Sequence, residues 1–343
     1  MSKFIYSLKN LKDTKQNGYK VFSLFCGGGG SSIGYKLAGF DVIGGVEIDP
    51  KQAQAYKKNL KPKYFYEGDI RDFKNENNLP EELYNLDILD ASPPCSLFSS
   101  ANTVAEQKKG KKVKFAEGRV LQVLDDLFFE TIEVIEKLQP KVAIMENVKG
   151  LLFKKNTYYV EEIYKRLNAI GYNVKHMVLN AADFGVPQKR QRVFFIASKQ
   201  SLDTLKIKPL LSAKEHYRIK DIDSDYKGQP ATAFVNNLIK HYKKGDKSLG
   251  DIRKRIEGKR TGFSFYLVTD NDVCNTLRAG SNDFARIDHN NIKFSKKELI
   301  QIQTFPIDYD FSDISYIYAL GMSVPPFLTK EIAKQIKEQL LDI

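Results

Sequence analysis

The chain has 343 residues, 42% hydrophobic and 28% charged, the make-up of a soluble globular protein with room for roughly two domains. No run approaches the ~18 unbroken apolar residues of a membrane helix, and the first twenty residues lack the apolar core of a signal peptide, so a cytoplasmic protein without membrane contact is expected. The three cysteines, Cys26, Cys95 and Cys274, are too widely spaced for a disulfide framework, and with four histidines in total no metal site is expected. The net charge of +12 is clustered, in "QKKGKKVKF" (107–115) and in "HYKKGDKSLGDIRKRIEGKR" (241–260), which points to a polyanion and most simply to nucleic acid.

In chain order, "VFSLF" (21–25) reads as a strand, and "SSIGYKLAG" sets Ile33 and Leu37 on one helical face before Gly39 ends it. "DVIGGVEI" is a second strand, and Pro50 opens a helix that runs to about Leu60. "KYFYEGDI", "LDILDAS" and "KVAIMENV" are further strands, the last two separated by apolar residues at helical spacing over 120–138. A helix near 157–169 leads into two more strands, "NVKHMVLNAADF" and "RVFFIAS". Near-continuous apolar strands alternating with helices imply an α/β fold with a doubly wound, mostly parallel sheet. Residues 1–198 are expected to form this catalytic and cofactor-binding domain. Residues 199–290 are polar, basic and irregular, with a strand hint only at "GFSFYLVT" (262–269), and are expected to form a smaller domain. Residues 291–343 return to the first domain and end in an amphipathic helix over 329–343.

The first strand meets the first helix through four consecutive glycines, at the strand end where doubly wound sheets bind ligands. The dinucleotide spacing G-x-G-x-x-G does not fit, because its third position would be Ser32 or Ile33. Glu47 ends the next strand, where an acid commonly binds ribose hydroxyls. Asp69 ends the one after, able to accept from an exocyclic amine. Each acid alone reads as a helix cap or a solvated strand end. At three successive strand ends, the set favours an adenosyl ligand.

Cys95 lies in "DILDASPPCSLFSS", and that stretch alone reads as a packed cysteine at a strand end. Its neighbours change the reading. "FSLFCGGGGSSIGYKLAGF", "GDI", "SPPCSLFS", "MENVKGLL", "FGVPQKRQRVFFIA", "LIQIQTFPIDY" and "ALGMSVPP" follow the motif order of DNA (cytosine-5) methyltransferases of bacterial and phage type. The resemblance runs from residue 21 to about 330 and lapses only over 199–270. It implies a Rossmann-like methyltransferase fold and S-adenosyl-L-methionine as cofactor, touched by Phe25, Gly27, Gly29, Gly30, Glu47, Ile48, Asp69, Ile70, Pro94, Ser323 and Val324. It implies methyl transfer to carbon 5 of a cytosine swung out of double-stranded DNA at a short specific sequence. Cys95 would be the thiolate that adds to cytosine C6, with Pro93 and Pro94 making its turn rigid. Glu146 would hydrogen-bond the base at N3. Arg190 and Arg192, placed on one side by strand alternation, would stand near the base and this carboxylate. By the same resemblance 199–290 would be the target-recognition domain, its stretch 199–270 reading bases, and Ser96, Ser99, Lys108, Lys109, Lys111 and Lys112, in the family's mobile loop, with Thr276 just beyond that stretch, would contact DNA. A monomer is expected, with a cognate restriction endonuclease as functional companion.

The chain departs from the family at Ser23, where Asp is usual, at Ser96, where Gln is usual, and at Met322, where Asn is usual. The alternatives are a tRNA cytosine-5 methyltransferase, whose usual Cys-Phe-Thr tripeptide is missing here, and a catalytically inactive DNA-binding protein on the same fold. Against the latter, Cys95, Glu146, Arg190 and Arg192 are all present.

Overall fold

The computed structural model describes residues 3–94, 127–258 and 265–342, together with the backbone of two short paired segments at 113–114 and 121–122. Seven strands share one sheet: β1 (Lys20–Leu24), β2 (Asp41–Glu47), β3 (Tyr64–Glu67), β4 (Ile88–Ala91), β5 (Val142–Val148), β6 (Asn173–Asn180) and β7 (Gln191–Ser198). Their order is β3-β2-β1-β4-β5-β7-β6. The pairs from β3 across to β5 are parallel, and only β7 runs antiparallel to its neighbours. The expected doubly wound, mostly parallel sheet is therefore the observed one. Its central strands are buried on both faces, Ile88 to Ala91 throughout, which is why they read as unbroken apolar runs. The chain winds outward from β1 to β3 and then returns to β4 on the other side of β1. At that reversal the connecting loops part and leave a crevice at the carboxyl ends of β1 and β4.

Helices α1 (Gly30–Leu37), α2 (Pro50–Leu60), α3 (Ile70–Asn75), α4 (Leu127–Leu138) and α5 (Thr157–Ala169) connect these strands. The start of α2 is fixed locally: the Asp49 carboxylate accepts from the N–H groups of Lys51 and Gln52, and Pro50 occupies the first helical position. Of the helical pattern expected over 120–138, the described residues form the helix Leu127–Leu138, and 120 and 123–126 lie outside the described residues. Leu121–Gln122 instead pair antiparallel with Val113–Lys114, because a short apolar run fits either period.

Beyond β7, α6 (Ala233–Ile239) and α7 (Leu249–Glu257) pack around Val235, Leu238, Leu249, Ile252 and Phe265, a small core of their own. Fully buried Arg286 joins this region to the returning chain, pairing with Asp270 and with Glu298 of α8 (Lys296–Ile302). Helix α9 (Tyr316–Met322) then brings the chain back to the crevice. The last helix, α10 (Pro326–Ile336), covers one face of the sheet by setting Leu328, Ile332 and Ile336 against Val21, Tyr35 and Ile144. It starts earlier than the 329 expected, since Pro326 suits a first turn, and a single π turn at Lys337–Leu341 follows it. Among the described residues, no helix is long and apolar enough to cross a membrane.

Within the sheet the tightest backbone approach lies at Gly44 of β2, where an added Cβ would come within 1.8 Å of the Tyr64 carbonyl oxygen on β3. Gly44→Ala is expected to lower stability by about 2 kcal/mol or more, in the range of other forced backbone shifts. Urea unfolding checks this; a midpoint within error of the wild type would contradict it.

Candidate active site

The turn after β1 carries Phe25, Gly27 and Gly29 in the left-handed region, at φ 53°, 50° and 81°. For a phenylalanine this conformation costs roughly 1–2 kcal/mol, and such strain is characteristically kept at ligand-binding turns. Glu47, at the end of β2, holds the turn in shape. Its Oε2 accepts from the Gly27 N–H at 2.7 Å and its Oε1 from the Asp49 N–H at 2.9 Å. A side chain at residue 29 would strike Leu60, and one at residue 30 would reach 2.3 Å from the Val324 carbonyl oxygen. These glycines let the turn lie flat between α2 and the segment after α9.

Above the turn opens a pocket with a cavity volume of about 100 Å³. The walls come from residues 25–28 with Gly30 and Ser31, from Glu47 to Asp49 with Gln52, from Asp90 of β4 with Ser92 and Pro94 after it, and from Tyr318 and Met322 to Val324. Phe25, Gly27, Gly30, Glu47, Ile48, Pro94, Ser323 and Val324, all expected at a cofactor, therefore line one cavity. Gly29 sits just behind it as the N-cap of α1. Asp69 and Ile70 lie outside the lining. The Asp69 carboxylate caps α3 at the Arg71 N–H (2.9 Å) and pairs with the Arg71 guanidinium, and Ile70 is buried in the main core. Met322, at the family's usual Asn, is about half exposed at the rim.

Gln52 and Asp90 were not anticipated from sequence. Gln52 Oε1 is buried and has no hydrogen-bond partner among the described residues, yet its side chain faces the pocket. Asp90 is 5% exposed. Its Oδ1 accepts from the Tyr35 hydroxyl at 3.2 Å and its Oδ2 from the Ser23 hydroxyl at 3.3 Å. Each hydroxyl has one proton and an ionised carboxylate only accepts. The chain of bonds therefore runs one way, from Tyr56 to Ser32 (2.9 Å), from Ser32 to Ser23 (3.1 Å), and so to Asp90. Burial pushes the Asp90 carboxyl up to about 7, against the pull of the Tyr35 and Ser23 hydroxyls. Burial likewise raises Glu47 to about 7, opposed by the N–H groups it accepts from.

At the next strand end, the Asn147 Nδ2 donates to the Pro93 carbonyl at 3.1 Å, tying β5 to the Pro-Pro turn. Glu146 pairs with Arg192 at 3.0 Å, both side chains largely shielded from solvent. Cys95, Ser96, Ser99, Lys108, Lys109, Lys111 and Lys112 lie outside the described residues. Burial raises the thiols of both Cys26 and Cys274, so neither is a thiolate near neutral pH.

Arg190 requires a correction. Residues 188–198 do not form one alternating strand. Gln188–Lys189 pair with Cys274–Asn275, and β7 begins at Gln191, so Arg190 sits at the break. Its guanidinium, 2% exposed, donates to the carbonyls of Leu277 (3.1 Å) and Gly321 (2.9 Å), while Arg192 meets Glu146. The Thr276 hydroxyl donates to the Lys189 carbonyl at 2.7 Å.

A family model described as C-5 cytosine-specific DNA methylase matches residues 19–338. The chain is 31% identical to the Type II methyltransferase M.FnuDI of Fusobacterium nucleatum, covering 94% of this chain and 95% of that protein. It is 34% identical to the Type II methyltransferase M.HaeII of Haemophilus aegyptius, covering 90% of each. A crystal structure of a Spodoptera frugiperda DNMT2 mutant superposes with a TM-score of 0.64, covering 93% of this chain and 99% of that one at 17% identity, which shows a shared fold.

The two raised carboxyls have a consequence for stability. In an unfolded chain both titrate near ~4, so between about pH 4 and 7 the folded state binds more protons. Their contribution is therefore fully present at the acid end of that window and is lost as pH rises through 7. The thermal midpoint of the ligand-free protein is expected to rise on going from pH 8 to pH 6, and Asp90→Asn to flatten that rise. Calorimetry across the window decides; a slope unchanged in the variant would contradict the assignment to Asp90.

Proposed function

The chain belongs to the C-5 cytosine-specific DNA methylases and is a DNA cytosine-5 methyltransferase, and from this we propose how it works: a cytosine flipped out of a short double-stranded sequence is methylated at C5 through a covalent bond between Cys95 Sγ and C6. The observation that carries this reading is the Asn147–Pro93 hydrogen bond. It joins the turn that leads into Cys95 to the strand end bearing Glu146 and Arg192, at the edge of the pocket.

The pocket suits S-adenosylmethionine. Glu47 lies where ribose hydroxyls can donate to it, Gln52 Oε1 is a buried acceptor still open to a ligand donor, and the amides at the start of α1 favour a carboxylate. When bound, the cofactor supplies the methyl group. The chain's own residues prepare the base. Cytosine C5 is a poor nucleophile until the Cys95 thiolate adds to C6 and pushes electron density onto it. Glu146, protonated or sharing a proton with the base, hydrogen-bonds N3 and draws off charge as the thiolate adds. Arg192 orients Glu146 and reaches cytosine O2. Arg190, which holds the carbonyls of Leu277 and Gly321, is a positioning residue. After methylation, loss of the C5 proton expels Cys95 and restores the aromatic ring.

DNA would lie across this face. The lysines of 107–115 supply phosphate contacts, and residues 199–290 read base edges in the major groove. The relatives named Type II methyltransferases support a role beside a restriction endonuclease acting at the same sequence.

DNA carrying 5-fluorocytosine at the target should trap the protein as a denaturation-resistant adduct, and Cys95→Ala should abolish the adduct; trapping that survives the change would mean another nucleophile. Bisulfite sequencing of DNA from cells expressing the protein should reveal methylated cytosine at one short sequence. Methylated tRNA with unmethylated DNA would instead support an RNA substrate.

A further inference from the structure

We propose that Asp90 is the counter-charge for the cationic methionyl half of S-adenosylmethionine and sets the preference of the protein for that cofactor over uncharged adenosyl ligands. The inference rests on the S-adenosylmethionine reading of the pocket and adds to it a residue that the family motifs do not mark.

Three features single out this carboxylate. It is almost wholly buried yet forms part of the pocket wall, beside Ser92 and Pro94. Among the described residues no lysine, arginine or histidine pairs with it, although the chain carries a net charge of +12. The other acids at the crevice are neutralised or committed: Glu146 has Arg192, and Glu47 and Asp49 accept backbone N–H groups. Asp90 is held only by hydroxyl groups, those of Tyr35 and Ser23, with Ser31 as a further donor. Hydroxyls orient a carboxylate but do not balance its charge, and an unbalanced buried charge is costly. A cation entering the pocket would relieve that cost.

The placement fits the ligand. β1 lies between β2 and β4, so Glu47 and Asp90 stand on opposite sides of the glycine turn. With Glu47 taking the ribose, Asp90 is the acid left for the methionyl half, which carries an ammonium and a sulfonium. Methyl transfer removes the sulfonium charge, so an acid at this place also weakens retention of the product.

Titration calorimetry on the intact protein tests this with three ligands: S-adenosylmethionine, S-adenosylhomocysteine, which keeps only the ammonium, and 5′-methylthioadenosine, which has neither charge. Asp90→Asn preserves shape and removes the charge. It is expected to raise the Kd for S-adenosylmethionine by roughly 10- to 100-fold, the loss typical of a hydrogen bond to a charged group, while leaving methylthioadenosine within about threefold. A loss shared by S-adenosylhomocysteine places the contact at the ammonium; a loss confined to S-adenosylmethionine places it at the sulfonium. Either supports the proposal. Equal weakening of all three ligands, or of none, overturns it. A wild-type protein that binds none of them overturns the cofactor reading as well. Asp90→Ser carries the same expectations and serves if Asp90→Asn does not fold.

Discussion

The reactive face depends on the pairing of β1 with β4 in the middle of the sheet. The register sets Val21 beside Ile88, Ser23 beside Asp90 and Leu24 beside Ala91, and β4 in turn sets Asp90 beside Ile144 of β5. Parallel strands in this register end at nearly one level. The glycine turn, the Pro-Pro turn and the Glu146 strand end therefore emerge side by side, although they lie some 120 residues apart in the chain. A slip of one residue would turn every side chain of β4 to the opposite face. Ser23 would lose its carboxylate, and the Pro-Pro turn would no longer meet Asn147.

Beneath the glycine turn the core is polar where a sheet of this kind is normally apolar. Tyr56, Ser32, Ser23, Asp90 and Tyr35 form one connected set of side-chain bonds. Fully connected networks of this kind are tolerable, whereas a half-satisfied one is worse than none. The departure at Ser23 fits this picture. The resemblance leads one to expect an acid on β1, and here the acid stands on β4 at the register partner of the serine. The carboxylate has crossed one ladder of the sheet, and the hydroxyl left behind donates to it. Removal of either partner alone would leave the other one bond short in the interior.

The alternation of strands and helices was legible because parallel strands buried on both faces are written as apolar runs. Helix bounds were read best where the cap is local, as with Asp49 and Pro50 before α2. Glu47 and the glycine turn were legible for the same reason, being neighbours at successive strand ends. What sequence could not show is work that depends on distant partners. Asp90 looks like any acid in an apolar run until β1 is laid beside it. Asn147 reads as a spacer after Glu146 until the Pro93 carbonyl comes within reach. Asp69 shows a local role besides: a strand-end acid beside a helix start also caps the Arg71 N–H.

The fate of Arg190 explains how an irregular region is fastened to a regular one. Its partners lie 87 and 131 residues further along the chain, one in the segment that follows the basic region and one at the end of α9. Gln188 continues the joint, accepting from the Leu277 N–H at 3.0 Å and donating to Gln303 at 2.7 Å. Gln303 in turn donates to the Ser323 carbonyl at the pocket wall. Gly321 is required where these pieces meet, because a Cβ there would come within 2.4 Å of the Ala279 backbone. Nearly every bond in this joint uses main-chain atoms on one side, which any sequence can offer. The outer part of the basic region, built around its own small core, is thus free to vary without moving Arg192, Glu146 or the pocket. A scaffold that reads different DNA sequences with one chemistry needs that separation.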